Sequence, residues 1–194
     1  MIEKFINFTM AWAVMLLFSN TPTNAQTLVW EENFNATNVN TAIWTFDFGD
    51  GCERALCGWG NQELEYYTSR PENARIENGS LIIEARREAF QTRQFTSARL
   101  KTEGRMHFKY GTIEARIKLP NLSNGLWPAF WTLGTIGGSW PSIGEIDMME
   151  VGSSAALQAG LGNRQVSSAT HWSNAAGDHE YSAASLNEIG RAHV

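Results

Sequence analysis

The segment Gly111–Leu119 (GTIEARIKL) alternates without a break. Ile113, Ala115, Ile117 and Leu119 fall on one face, and Thr112, Glu114, Arg116 and Lys118 fall on the other. That is the period of a half-buried strand. Ala74–Glu77, Ser80–Ala89, Phe95–Lys101, Met106–Tyr110 and Trp127–Leu133 also read as strands, and no long stretch carries a helical period. Glu77-Asn78-Gly79-Ser80 joins two of these runs through an Asn-Gly hairpin signal. Pro120-Asn121 with Ser123-Asn124-Gly125 marks one loop, and Gly137-Gly138 with Pro141 marks another. Many short strands separated by Gly and Pro predict an all-β fold, a β-sandwich or jelly roll, without repeats or an inter-domain linker.

Composition narrows the function classes. Only 18% of the 194 residues are charged, the net charge is −5, and 43% are hydrophobic. Such a chain is neither disordered nor a coiled coil, and no basic motif supports a nucleic-acid partner. The first 25 residues read as a signal peptide. Lys4 is followed by an apolar run, Phe8–Phe18, and by a small-residue exit, Thr23-Asn24-Ala25. The run is shorter than the ~20 residues of an ordinary membrane span. Cleavage after Ala25 is the expectation, an uncleaved anchor the alternative. A secreted or periplasmic protein without stable membrane insertion follows. Export exposes Cys52 and Cys57 to an oxidising compartment, so a Cys52–Cys57 disulfide is plausible; two free, partly buried thiols are the other reading. Two cysteines alone make no zinc site.

The chemistry concentrates in Gly144–Val151 (GEIDMMEV). Glu145 and Asp147 are two apart and share a strand face. Glu150 has the opposite parity, and a β-bulge at Met148 or Met149 would return it to that face, leaving Ile146 and Val151 toward the core. Like charges side by side destabilise a sheet, so the array suggests a use. Retaining glycoside hydrolysis needs a nucleophilic carboxylate and a protonated acid ~5–5.5 Å apart. With one bulge residue, Glu145 and Glu150 stand about four steps apart, roughly 13 Å between Cα atoms. Two side chains leaning inward by about 4 Å each close that to roughly 5 Å. Asp147 between them can share a proton with the nucleophile and raise the acid's pKa. A solvated strand face fits the same spacing, as does a cation site, although the EF-hand pattern is absent. Trp127 and Trp131, four apart on one predicted strand, with Trp140, would supply flat rings for sugar faces; a core role is the alternative.

Together these residues carry a resemblance. Trp127–Trp131 (WPAFW), Trp140–Glu150 (WPSIGEIDMME), Gly58–Thr68 (GWGNQELEYYT), Ala74–Arg86 (ARIENGSLIIEAR), Ser97–Thr102 (SARLKT) and Phe108–Pro120 (FKYGTIEARIKLP) resemble the laminarinase branch of glycoside hydrolase family 16, the endo-β-1,3-glucanases. The resemblance runs from about Val29 to Trp172. It implies a curved, concanavalin-like jelly roll whose concave face binds a β-glucan polysaccharide or oligosaccharide. It implies Glu145 as nucleophile, Glu150 as acid/base and Asp147 as assistant, acting with net retention and no redox cofactor. Thr170-His171-Trp172 matches the strand after the catalytic one, which makes His171 a substrate-site candidate. Asn61 and Arg99 lie in matching blocks and are candidates for sugar hydroxyls. Many relatives hold a structural calcium, but the usual Asp-Glu-Phe reads Glu32-Asn33-Phe34 here. No cofactor and no metal site are therefore expected. A monomer is expected.

After Trp172 the resemblance fades through Asp178–Ser182, and the family's closing strands are absent. Ile189–Val194 (IGRAHV) is also what one frame of a sequencing adapter encodes. The expected organisation is a signal peptide at 1–25, a partial catalytic domain at 26–188 and a non-native tail at 189–194. Exposed sheet edges would make such a fragment poorly soluble or weakly active. Two other functions stay open. One is the same chemistry on mixed-linkage glucan, agarose or carrageenan. The other is a non-catalytic β-glucan-binding module, against which the three retained carboxylates argue.

Overall fold

The computed structural model describes residues 26–122 and 125–187. The predicted signal peptide, the tail at 189–194 and the turn residues Ser123 and Asn124 lie outside the described residues. The chain separates into two units, Met1–Asn33 and Phe34–Val194. The described part of the first unit, Gln26–Asn33, contains neither helix nor strand.

The second unit is an all-β sandwich of the jelly-roll type whose sheets do not close. Its strands are β1 (Thr45–Phe46), β2 (Glu65–Tyr67), β3 (Ala74–Glu77), β4 (Ser80–Ile83), β5 (Arg86–Phe90), β6 (Arg93–Ser97), β7 (Leu100–Lys101), β8 (Ala129–Leu133), β9 (Glu145–Glu150), β10 (Gln165–Ser173) and β11 (His179–Asn187). One short helix, α1 (Ser154–Gln158), follows β9, and its Ala156 N–H donates to the N-cap hydroxyl of Ser153 at 3.2 Å. The largest sheet has the order β11-β10-β9-β8, antiparallel throughout, and a second has the order β2-β6-β5. β3 and β4 form the expected hairpin. Asn78 and Gly79 take φ values of 51° and 70°, the positive pair that a type I′ turn requires. Among the described residues no helix is long and apolar enough to cross a membrane.

The core of the amino-terminal half is unusually polar. Asn73 and Thr96 are fully buried. Asn73 accepts from the Thr68 hydroxyl at 2.6 Å and donates to Thr96 Oγ1 at 2.9 Å and to the Glu84 carbonyl at 3.0 Å. Arg70 pairs with Glu88 at the margin of this network. Buried polar groups cost free energy unless they are hydrogen-bonded, and this cluster bonds its members to one another. Nearby, Cys52 and Cys57 are joined in a disulfide that staples two 3-10 turns, Cys52–Arg54 and Cys57–Gly60.

Two expectations need correction. Met106–Tyr110 and Gly111–Leu119 are not strands, because neither segment pairs with a neighbour among the described residues. The alternation within Gly111–Leu119 nevertheless has a physical meaning. Ile113, Ala115, Ile117 and Leu119 line a groove of about 410 Å³ with Phe130, Met148, Met149 and Val166. Ile146, expected in the core beside Val151, is 52% exposed, whereas Val151 is buried. That groove takes in Phe130 and Met149 but not Ile146, and Ile113 and Ile117 are themselves 42% exposed, so the segment lies along the sheet face without sealing it.

Candidate active site

The site rests on the middle of the four-stranded sheet. Opposite β9, Leu133 faces Glu145, Trp131 faces Asp147 and Ala129 faces Glu150. The register shifts between Phe130 and Trp131, which oppose Met149 and Asp147 and leave Met148 as the extra residue. β10 shows the same shift, with His171 opposite Glu145, Ala169 opposite Asp147 and Ser167 opposite Glu150. Directly opposed residues share a sheet face, so one bulge places all three carboxylates in a single row. The approach to that row depends on glycine. Gly134 N–H donates to the Gly144 carbonyl at 2.9 Å, and a Cβ on Gly134 would come within 1.7 Å of the Ile143 carbonyl oxygen. Gly144 itself sits at φ 76°, immediately before Glu145.

Each carboxylate has its own partner. The Trp140 indole N–H donates to Glu145 Oε2 at 2.9 Å, and the Trp127 indole N–H donates to Glu150 Oε1 at 2.9 Å. Asp147 is the buried member, 4% exposed, and its Oδ2 lies 3.1 Å from His171 Nε2. The other nitrogen of that ring, Nδ1, lies 2.9 Å from His179 Nε2. Burial and the neighbouring Asp147 charge hold the Glu145 carboxyl above its ordinary value, against the opposing pull of His171 and the Trp140 hydrogen bond. Glu145 thus retains its proton more readily than an isolated carboxylate.

The sequence-predicted residues divide into two groups. Trp127, Trp131, Trp140 and His171 gather around the carboxylate row. Trp127 precedes β8 rather than lying on it, yet its indole still reaches Glu150. Trp127 and Trp140 are about half exposed, so each ring holds a carboxylate by its N–H while keeping apolar surface open. Asn61 and Arg99 belong to another cluster. Arg99 donates through Nε to buried Asp47 at 2.8 Å and lies 4.0 Å from the Trp59 ring centroid and 4.8 Å from that of Tyr67. Asn61 and Glu63 both donate their backbone N–H to the Gly58 carbonyl, and Glu63 pairs with Arg99 at 3.5 Å. His179 and Tyr181 are the site residues that sequence reasoning missed. An aromatic residue two places after a histidine on a strand was the available signal.

Glu145, Asp147 and His171 each offer one ligand atom within 4.8 Å of the others, a spacing that a divalent ion could bridge. The same side chains serve the hydrogen bonds just described.

Comparison with known proteins gives this geometry a lineage. The family described as "Beta-glucan synthesis-associated protein SKN1/KRE6/Sbg1" matches residues 15–141, more than half of the chain. The chain belongs to this family. The match ends before Glu145, so the carboxylate row is judged by other relatives. The beta-glucanase of Rhodothermus marinus is 46% identical over 129 residues, covering 63% of this chain and 43% of that protein. The laminarinase catalytic domain of Thermotoga maritima is 39% identical with a TM-score of 0.69, covering 84% of this chain and 63% of that one. A Bacteroides ovatus mixed linkage glucan GH16 protein, solved with a G4G4G3G product, is 33% identical with a TM-score of 0.71 and covers 84% and 65%. The chain therefore spans less than half of the curated relative and less than two thirds of the two solved ones.

Proposed function

We propose that this chain carries the catalytic strand of an exported, retaining glycoside hydrolase that cleaves internal β-1,3-glucosidic bonds of laminarin-type β-glucans. One observation carries the reading. Glu145 and Glu150 oppose Leu133 and Ala129, so five steps of β9 span four steps of β8. Four steps are roughly 13 Å between Cα atoms, and two inward-leaning glutamates bring their carboxyls to roughly 5 Å, the spacing of retaining rather than inverting enzymes. The similarity to a beta-glucanase and to a laminarinase supports glucan as substrate.

The roles are those that the resemblance to glycoside hydrolase family 16 implies. With the pair's proton on Asp147, Glu145 is ionised and attacks the anomeric carbon. Protonated Glu150 gives its proton to the departing glycosidic oxygen, and a glycosyl ester forms on Glu145. Glu150, now a carboxylate, takes a proton from water, whose oxygen attacks the same carbon and releases Glu145. Trp140 and Trp127 fix the two glutamates through their indole N–H groups. Trp131 and the open faces of the other two rings supply apolar surface for sugar rings.

Glu145→Gln tests the reading. Reducing-sugar release from laminarin should fall by about 10⁴-fold or more, the scale on which a nucleophile's loss is felt, while the variant still binds laminarin. Unchanged release would overturn the assignment. The second reading is glucan binding without turnover, against which the three retained carboxylates argue. Absence of sugar release from the wild-type chain, with laminarin binding intact, would favour it.

A further inference from the structure

We propose that His179, on the outer strand β11, is a positioning residue that fixes His171 and, through it, Asp147. The inference rests on the hydrolase reading above. His171 is held at both ring nitrogens, by Asp147 Oδ2 at 3.1 Å and by His179 Nε2 at 2.9 Å. A neutral imidazole carries one N–H and one acceptor nitrogen. Donation from His179 Nε2–H to His171 Nδ1 forces the His171 proton onto Nε2, where it donates to Asp147. Asp147 Oδ2 is thereby occupied, which leaves Oδ1 to carry the proton shared with Glu145.

Ring packing sets His179 in place. Its ring centroid lies 4.6 Å from that of Trp140 and 5.9 Å from that of Tyr181, and its plane is within 20° of that of His171, edge to edge with the centroids 5.2 Å apart, which lets the N–H point along the ring plane at Nδ1. Trp140 is the residue whose indole bonds Glu145. One side chain on the edge strand thus touches both groups that orient the Glu145–Asp147 pair. Without it, the His171 proton is free to move to Nδ1, and Asp147 loses its donor.

Two variants of the full chain separate positioning from packing. His179→Phe keeps a flat ring and removes the donor; His179→Gln keeps an amide N–H donor. In His179→Phe, kcat on laminarin should fall roughly tenfold at unchanged KM, the lower end of what losing a histidine's orienting partner costs. Nitrogen-15 NMR of the His171 ring should move from one tautomer to a mixture. His179→Gln should restore both. The proposal is overturned if His179→Phe keeps the wild-type kcat and tautomer, or if both variants lose activity while the tautomer stays put. If wild-type protein releases no sugar from laminarin, the hydrolase reading fails, and the NMR result alone decides the role of His179.

Discussion

Two regions of this chain bury polar side chains and treat them in opposite ways. Around Asn73 and Thr96, donors and acceptors are matched, and the network bridges β2, β5, β6 and the β3–β4 hairpin. On β9, like charges are set next to each other, with Asp147 buried and Glu145 held above its ordinary pKa by burial and by Asp147. The first arrangement lowers the free energy of the folded state by leaving no polar group unpaired. The second raises it, since two adjacent carboxyls cannot both ionise cheaply. The β9 row is thus a place where the chain gives up stability, as it also does at Glu63, whose carboxyl burial pushes up. What sets the row apart is that its carboxyls stand in one line with an indole or imidazole partner for each.

The sharpest way to break the contrast is to take one carboxyl out of the row. In Glu150→Gln the row keeps its bulge at Met148 and its place opposite Ala129, but the side chain at its far end can no longer give or take a proton. Sugar release from laminarin should fall by about 10²–10⁴-fold, the worth of a general acid. Circular dichroism should still report a β-sheet. Retained activity would mean that Glu150 is not the acid/base.

Much of this site was legible because parity is arithmetic. Glu145, Asp147 and Glu150 could be placed on one face once a single bulge was admitted, and the structure puts the bulge at Met148. The Asn78-Gly79 turn and the Cys52–Cys57 bridge were equally readable from short-range chemistry. What failed was pairing. In Gly111–Leu119 the alternation correctly identified the apolar face, yet alternation reports where side chains point and not whether the backbone finds a neighbour. The roles of Trp127 and Trp140 were half visible, since a tryptophan in sequence shows its ring and hides which oxygen its N–H meets. His179 carried only its two-residue spacing to Tyr181 as a signal, and its tie to His171 needed the register of β11 on β10. Arg99 matched a substrate-site block, but its guanidinium is engaged by Asp47, 52 residues away in sequence. The Asn73–Thr96 network was invisible because polar residues read as surface until their burial is seen.

The satisfied region yields the next largest effect, on stability rather than turnover. Asn73→Ala removes the acceptor of the Thr68 hydroxyl and the donor to Thr96 and to the Glu84 carbonyl. The Thr68 and Thr96 hydroxyls left behind are buried, and a stranded buried polar group costs about 1–3 kcal/mol. Denaturant unfolding should show a loss in that range. A loss of only a few tenths would mean that water replaces Asn73 and that the network is not closed.

The smallest effect separates the β9 row by pH from the ion pairs of the amino-terminal half. Burial alone would raise the Asp47 carboxyl, but hydrogen bonds and charge from Lys101 and Arg99 bring it below its ordinary value. Asp50 is also lowered, by the Thr92 hydroxyl, the Cys52 N–H and Arg93. A depressed folded-state pKa contributes stability that is complete above the unfolded value of about 3.9 and is lost as pH falls through the folded value. Glu145 has the opposite sign. Its raised pKa weakens the folded state as it ionises, and it lifts the acidic limb of activity above the ordinary carboxylate range. Activity should therefore fail at a higher pH than stability on acidification. In Asp47→Asn the acid-unfolding midpoint should rise toward the activity limb while the limb itself stays in place. Coincident limbs in the wild-type chain would show that unfolding, not the Glu145–Asp147 pair, sets the acid limit of turnover.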